Sequence, residues 1–247
     1  MKNSAYMLEP PIRIGAISRE VVYNLSFMEI ALRENQKDII IGSILGDGYI
    51  EFDGFHGSRL QIKQSDQHRD YVFWLYERLE NLCKSPPKQR FDTKQWYFST
   101  RHLNVLTELR KIFYPNGKKI VPENTGNFLT SPLSLAVWYM DDGRLDFREK
   151  YHCSIILNTD SFELKQVNML GEILKNNFGI TSTIHNSLCR GKRYPKIYIG
   201  KESRDRFFSL VKPFIVNCFQ YKLPPTYRLT PQRLSPLLIA DEIEGTR

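Results

Sequence analysis

The chain has 247 residues, enough for one large domain or two small ones, and its hydrophobic content of 41% argues against global disorder. A formal net charge of +8 favours a polyanionic partner such as nucleic acid. The four cysteines form no C-x-x-C pair, which argues against a cysteine zinc site, a redox motif or a disulfide scaffold.

The first residues lack the apolar core of a secretory signal, and no apolar run approaches the ~18 residues that span a bilayer. We therefore expect the protein to act inside the cell and to have no membrane partner. An organelle, either mitochondrion or chloroplast, and a prokaryotic cytoplasm are not distinguished.

Two apolar, helix-length segments each end in Asp-Gly and lead into a strand-like segment. They are IIIGSILGDGYI at residues 39–50 and LSLAVWYMDDGRLDF at residues 133–147. Aligning Asp47 with Asp142 gives an offset of 95 residues. Self-similarity at a fixed offset indicates two copies of one structural unit.

The segments after each motif match in kind. The first half continues with a strand at 59–64, a helix at 70–82, a strand pair ending at 95–99 and a helix at 102–113. The second half continues with a strand at 153–158, a helix at 161–177, strands at 181–185 and 195–200, and a helix at 202–212. Each half is therefore predicted as α-β-β-α-β-β-α.

The repeat suggests boundaries for the parts of the chain. Residues 122–130 are rich in Pro, Gly, Asn and Thr, as is typical of a linker. The predicted parts are an N-terminal extension at 1–34, a first subdomain at 35–121, the linker at 122–130, a second subdomain at 131–228 and a C-terminal tail at 229–247.

The two motif helices carry signals of burial and close packing. Asn35 is the predicted cap of the first helix, and Ser131 followed by Pro132 is the predicted start of the second. Gly42, Ser43 and Gly46 recur along the first helix, and small residues of this kind allow two helix backbones to approach closely.

If the two helices pack side by side, Asp47 and Asp142 lie close together at their ends. Two carboxylates beside a phosphodiester repel each other and the substrate, and a hard divalent cation such as Mg²⁺ or Mn²⁺ relieves that repulsion. A single Asp-Gly after an apolar helix is usually only a turn. Two at matching places in matching halves favour a metal site.

The motifs ILGDGYI and LAVWYMDDG, with the segments TSPLSLAVWYMDDG, GKKIVP and YKLP, resemble the LAGLIDADG homing endonucleases that carry two motifs in one chain. The resemblance covers about residues 35 to 228. It implies an α+β fold of two pseudo-symmetric αββαββα subdomains, whose antiparallel sheets form a saddle on double-stranded DNA. It also implies a monomer without an obligate protein partner, which makes a double-strand break in a long, non-palindromic target.

The resemblance implies roles for six residues. Metal binding falls to the acids and to two backbone carbonyls: Asp47, Asp142, Gly46 and Asp141. Catalysis falls to the two acids and to two lysines: Asp47, Asp142, Lys119 and Lys222. One departure from the family pattern is that Val137 and Trp138 replace small residues, so the two helices are not expected to pack symmetrically.

The strands supply candidate residues for reading DNA. In RLQIKQ, Leu60 and Ile62 are predicted to face the core while the alternate residues face outward. Long polar and basic side chains on a β-ribbon suit the major groove and the phosphates. The candidates are Arg59, Gln61, Lys63, Lys88, Arg90, Lys94, Arg190, Lys192, Arg193 and Lys196. The five histidines show no metal-binding spacing in the sequence and are predicted to be ordinary surface or core residues.

Two alternatives share the scaffold. One is an intron maturase, an RNA-splicing cofactor. The other is a DNA-binding protein without catalysis. Retention of both Asp residues and both Lys residues favours cleavage over either alternative.

Overall fold

The computed structural model describes residues 32–189 and 191–228. Most of the predicted N-terminal extension, the predicted C-terminal tail and the candidate Arg190 lie outside the described residues. Within the described part of the chain, no helix combines the length and the apolarity needed to cross a membrane.

Within the described residues, each half contains three α-helices and four strands in the same order. The first half contains α1 (Glu34–Leu45), β1 (Tyr49–Phe52), β2 (Ser58–Gln64), α2 (Arg69–Leu79), β3 (Lys88–Gln89), β4 (Trp96–Ser99) and α3 (Asn104–Phe113). The second half contains α4 (Pro132–Asp142), β5 (Gly143–Arg148), β6 (His152–Asn158), α5 (Leu164–Phe178), β7 (Thr183–Cys189), β8 (Lys192–Ile199) and α6 (Lys201–Val211). The predicted α-β-β-α-β-β-α order is confirmed in both halves.

The two sheets have equivalent connectivity. Their strand orders are β1-β2-β4-β3 and β5-β6-β8-β7, and every pairing is antiparallel. Leu60 and Ile62 of β2 are buried and Lys63 is exposed, as the alternation predicted. The fold is therefore α+β, with two pseudo-symmetric subdomains.

The starts of the motif helices differ in their capping. The prediction for α4 is confirmed, because Ser131 Oγ accepts a hydrogen bond from the Leu133 N–H at 3.2 Å. The predicted Asn35 cap is wrong, because α1 begins one residue earlier, at Glu34. The side chain of Gln36 caps the start of α1 instead, because its Oε1 accepts a hydrogen bond from the Arg33 N–H at 3.1 Å. A long-range partner explains this choice, since Gln36 Nε2 also donates to the Asn81 side chain at 2.6 Å.

The predicted linker contains its own structure. Residues Glu123–Asn127 form a short 3-10 helix, and Thr125 within it is completely buried. From α5, Asn177 Nδ2 donates to Gly126 O at 2.7 Å and to Leu129 O at 2.8 Å. Residues 123–129 are thus bound to the second half by hydrogen bonds. The exact domain boundaries remain a prediction.

Helices α1 and α4 pack against each other at the centre of the molecule. A Cβ added at Gly42 would lie 2.5 Å from Ser134 O and 2.7 Å from Val137 Cβ, so only glycine fits at this contact. The close approach predicted from the small residues is confirmed. The contact is also asymmetric, as predicted, because a glycine of α1 faces a valine of α4.

Candidate active site

The paired helices bring three carboxylates together at their C-terminal ends. Asp47 is exposed and lies in the turn just after α1, whereas Asp141 and Asp142 are the half-buried last residues of α4. The Asp47 N–H donates to Asp141 Oδ2 at 3.2 Å, a bond between the two halves. The structure therefore places Asp47 against Asp141, the residue before Asp142, and Asp47 lies close enough to raise the pKa of the Asp142 carboxyl.

The Asp141 side chain is at the centre of a network that the sequence analysis missed. Its Oδ1 accepts the Tyr71 hydroxyl at 2.9 Å. Gln64 Nε2 donates to Asp47 Oδ2 at 2.9 Å and lies 3.4 Å from Asp141 Oδ1. One signal for Gln64 was available, because the alternation in β2 places this polar residue on the same face as Leu60 and Ile62.

Gly46 and Asp141 occupy equivalent positions in the two motifs, 95 residues apart. A Cβ at Gly46 would lie 2.4 Å from Asp141 Cβ and 2.5 Å from Asp141 Oδ2. The space between the helix ends therefore holds one side chain, and that side chain is a carboxylate contributed by the second half.

Each predicted lysine holds the end of one motif helix. Lys119 Nζ donates to Gly46 O at 2.7 Å and to Gly48 O at 3.2 Å. Lys222 Nζ donates to Met140 O at 2.5 Å and to Tyr139 O at 3.2 Å. These bonds satisfy carbonyl groups that a helix end leaves free.

The surroundings of Asp141 and Asp142 disfavour the charged forms of these two carboxyls. Burial, and then the nearby Asp47 carboxylate, raise the pKa of Asp142 to about 7 and hold the pKa of Asp141 well above its ordinary value. Burial also lowers the pKa of Lys119 and lowers that of Lys222 to about 8. Clustered carboxylates that resist ionisation form a donor set that a hard divalent cation fits, because its charge would offset their repulsion.

The second half places an asparagine where the first half has Gln64. Asn158 ends β6 as Gln64 ends β2, and its Nδ2 donates to Asp142 O at 2.8 Å. Lys196 Nζ donates to Asn158 Oδ1 at 2.9 Å and lies 3.4 Å from Asp160 Oδ1. Lys196, predicted only as a DNA-reading residue, thus lies one contact away from the second motif acid.

The remaining candidates for DNA reading differ in how free their side chains are. Several are exposed: Lys63, Lys88, Lys94, Lys192 and Arg193. Others are tied to acids on the same surface, since Glu51 Oε2 accepts from Arg59 Nε at 2.5 Å and from Gln61 Nε2 at 2.7 Å. Arg90 Nη2 likewise donates to Asp92 at 2.8 Å. Part of this set, including Arg59, Gln61, Lys63 and Arg90, lines one concavity over the first sheet.

Comparison with known proteins identifies the family. The LAGLIDADG DNA endonuclease family matches residues 37–207, and the chain belongs to that family. It is 30% identical to DNA endonuclease I-ChuI of Chlamydomonas applanata, over 78% of this chain and 96% of that protein. It is 32% identical to the cytochrome b mRNA maturase bI2 of Debaryomyces hansenii, over 78% of this chain and 74% of that protein.

Among solved structures, the homing endonuclease I-WcaI bound to its DNA recognition sequence is similar, with a TM-score of 0.68 and 25% identity. The alignment covers 86% of this chain and 96% of that one. The predicted family and fold are thereby confirmed.

Proposed function

We propose that this protein is a site-specific homing endonuclease, which makes a double-strand break in a long, non-palindromic DNA target by metal-dependent hydrolysis. The observation that carries the proposal is the carboxylate cluster at the ends of the paired helices, where the Asp47 N–H bonds to the carboxylate of Asp141, the neighbour of Asp142, and a lysine binds each helix end. The endonuclease relatives support the same conclusion.

Asp47 and Asp142 are the proposed ligands of Mg²⁺ or Mn²⁺, with the backbone carbonyls of Gly46 and Asp141. Gly46 O already accepts from Lys119, but a carbonyl oxygen has two lone pairs and can serve both partners. Such a cation, when bound, supplies an activated water and stabilises the leaving oxygen.

The side chains around the acids orient the site. Gln64 fixes Asp47 through its carboxylate, and Asn158 fixes the backbone of Asp142. Lys119 and Lys222 hold positive charge within the field of all three acids, where it stabilises negative charge that develops on the phosphate.

The two sheets form the proposed DNA surface, each reading one half of the target. Because both motifs lie in one chain and the two strand sets differ in sequence, we propose that a monomer binds a target without twofold symmetry. We further propose an intracellular site of action in an organelle or a prokaryote, consistent with a Wickerhamomyces canadensis relative named as a probable intron-encoded endonuclease.

The test is cleavage of supercoiled DNA carrying a target selected from a randomised pool, in the presence of Mg²⁺. Asp47→Asn and Asp142→Asn keep the side-chain shape but remove one charge each, so cleavage should fall by orders of magnitude while DNA binding persists. Asp205→Asn makes the same change on α6, away from the helix ends, and should cleave like the unmodified protein. Linearisation at the normal rate by both motif variants would refute the proposal.

A second function is suggested by the relative named as a maturase. If the chain assists RNA splicing, Asp47→Asn and Asp142→Asn should retain that assistance, because binding and folding an RNA need no hydrolysis. Splicing assays on host intron RNA with these variants would separate the two activities. Absence of any effect of the protein on splicing would leave cleavage as its function.

A further inference from the structure

A cluster of two histidines and one aspartate lies outside the site described above. Asp53 and His56 belong to the hairpin that joins β1 to β2, and His102 lies in the segment just before α3. Asp53 Oδ2 is 2.9 Å from His56 Nδ1 and 3.3 Å from His102 Nε2. The donor atoms of the three residues all lie within 4.8 Å of one another.

The local structure holds these donor atoms close together. Asp53 Oδ1 shapes the turn by accepting the N–H groups of Phe55 at 2.9 Å and of His56 at 2.7 Å. This leaves Oδ2 facing the two imidazoles, whose rings stack with centroids 5.7 Å apart. His102 Nε2 is shielded from solvent and, among the described residues, makes no hydrogen bond of normal geometry.

The types of the three donor atoms and the distances between them favour one kind of metal ion. A tetrahedral ion bound at about 2.0–2.1 Å holds neighbouring donor atoms about 3.3 Å apart, which is close to the two separations around Asp53 Oδ2. Two imidazole nitrogens and one carboxylate suit Zn²⁺ better than Mg²⁺, which prefers oxygen ligands. The His56 side chain is 78% exposed, so a fourth position remains open to water.

We propose that Asp53, His56 and His102 bind one Zn²⁺ ion that fastens the β1–β2 hairpin to the segment before α3. This site is separate from the carboxylate cluster at the helix ends, and its binding of zinc does not depend on the proposed nuclease activity. One consequence does rest on the proposed function. Zinc would hold the hairpin, with its 93% exposed Phe55, in one conformation at the edge of the DNA-reading sheet.

The experiment is a titration of the metal-stripped, full-length protein, purified without a polyhistidine tag, with Zn²⁺ in excess Mg²⁺. Isothermal titration calorimetry gives the stoichiometry, and the visible absorption of Co²⁺ as a substitute reports a tetrahedral site. We expect one ion per chain. Loss of an outer-shell partner already weakens metal sites about 10–100-fold, so His56→Gln and His102→Gln should each weaken binding at least about 100-fold.

His185→Gln is the matched control, because His185 is an exposed histidine on β7 with a local bond to Thr183 at 2.8 Å. It should bind zinc like the unmodified protein, and so should Asp47→Asn, which alters only the helix-end site. Zinc should also slow amide exchange across residues 53–57 in both controls and in the unmodified protein.

His56 is exposed, so His56→Gln should fold normally and decides the question even if His102→Gln does not fold. The proposal is overturned if the unmodified protein binds no zinc in a one-to-one ratio. It is also overturned if His56→Gln retains full affinity, or if Asp47→Asn abolishes binding.

Discussion

Replacing Gly42 by alanine tests whether the contact between α1 and α4 positions the acids. The added methyl carbon would lie 2.5 Å from the backbone oxygen of Ser134 and 2.7 Å from Val137 Cβ. Ordinary van der Waals contact begins at 3.4 Å. Because the backbone oxygen and the Cβ atom cannot rotate away, the two helices must separate by about 1 Å to accept the methyl group.

The cost in stability can be estimated from two opposing effects. Overpacking a rigid core costs about 1–3 kcal/mol, and a collision with backbone places this substitution at about 3 kcal/mol. The higher helix propensity of alanine offsets about 1 kcal/mol. The expected net loss is therefore about 2 kcal/mol in the free energy of unfolding, accompanied by slower cleavage because Asp47 and Asp142 move apart.

Urea denaturation measures the loss, with Gly171→Ala as the matched control. Gly171 also lies within a helix, but its added methyl group would meet only the Ser182 hydroxyl at 3.3 Å and Ile184 Cδ1 at 3.8 Å. A hydroxyl can rotate, so this variant should gain up to about 1 kcal/mol from helix propensity. Equal stability of Gly42→Ala and the unmodified protein would refute the packing argument.

Three further predictions concern the site and the DNA surface. Tyr71→Phe removes the hydroxyl bonded to Asp141 and should slow cleavage of one strand on the order of tenfold, seen with strand-specific labels; equal slowing of both strands would contradict this. Because the raised pKa of Asp142 is about 7, a proton competes with the metal below that pH. The Mg²⁺ affinity measured by calorimetry should therefore fall about tenfold per pH unit below 7 and level off above it, whereas a flat profile would count against Asp142 as a ligand. Neutralising Lys192 and Arg193 together should reduce the salt dependence of DNA binding by at most about two slope units, and an unchanged slope would remove both residues from the phosphate contacts.

Local patterns in the sequence were sufficient to predict the helices, the strands and their repetition in the two halves. The alternation in RLQIKQ predicted which residues of β2 are buried, and the apolar runs before Asp47 and Asp142 predicted the central helix pair. The glycine at position 42 predicted the close contact of those helices. Each of these signals lies in residues a few positions apart, so the helical and strand periods express it directly.

Other features appeared only in the tertiary structure, because they join residues far apart in the chain. Tyr71 and Asp141 are 70 positions apart, and no local pattern in the sequence predicts the hydrogen bond between this hydroxyl and this carboxylate. The histidines have no metal spacing in the sequence, yet the hairpin brings His56 next to His102. Whether a polar residue becomes a ligand, a helix cap or a surface group depends on which remote element packs against it, and that is determined only when the whole chain folds.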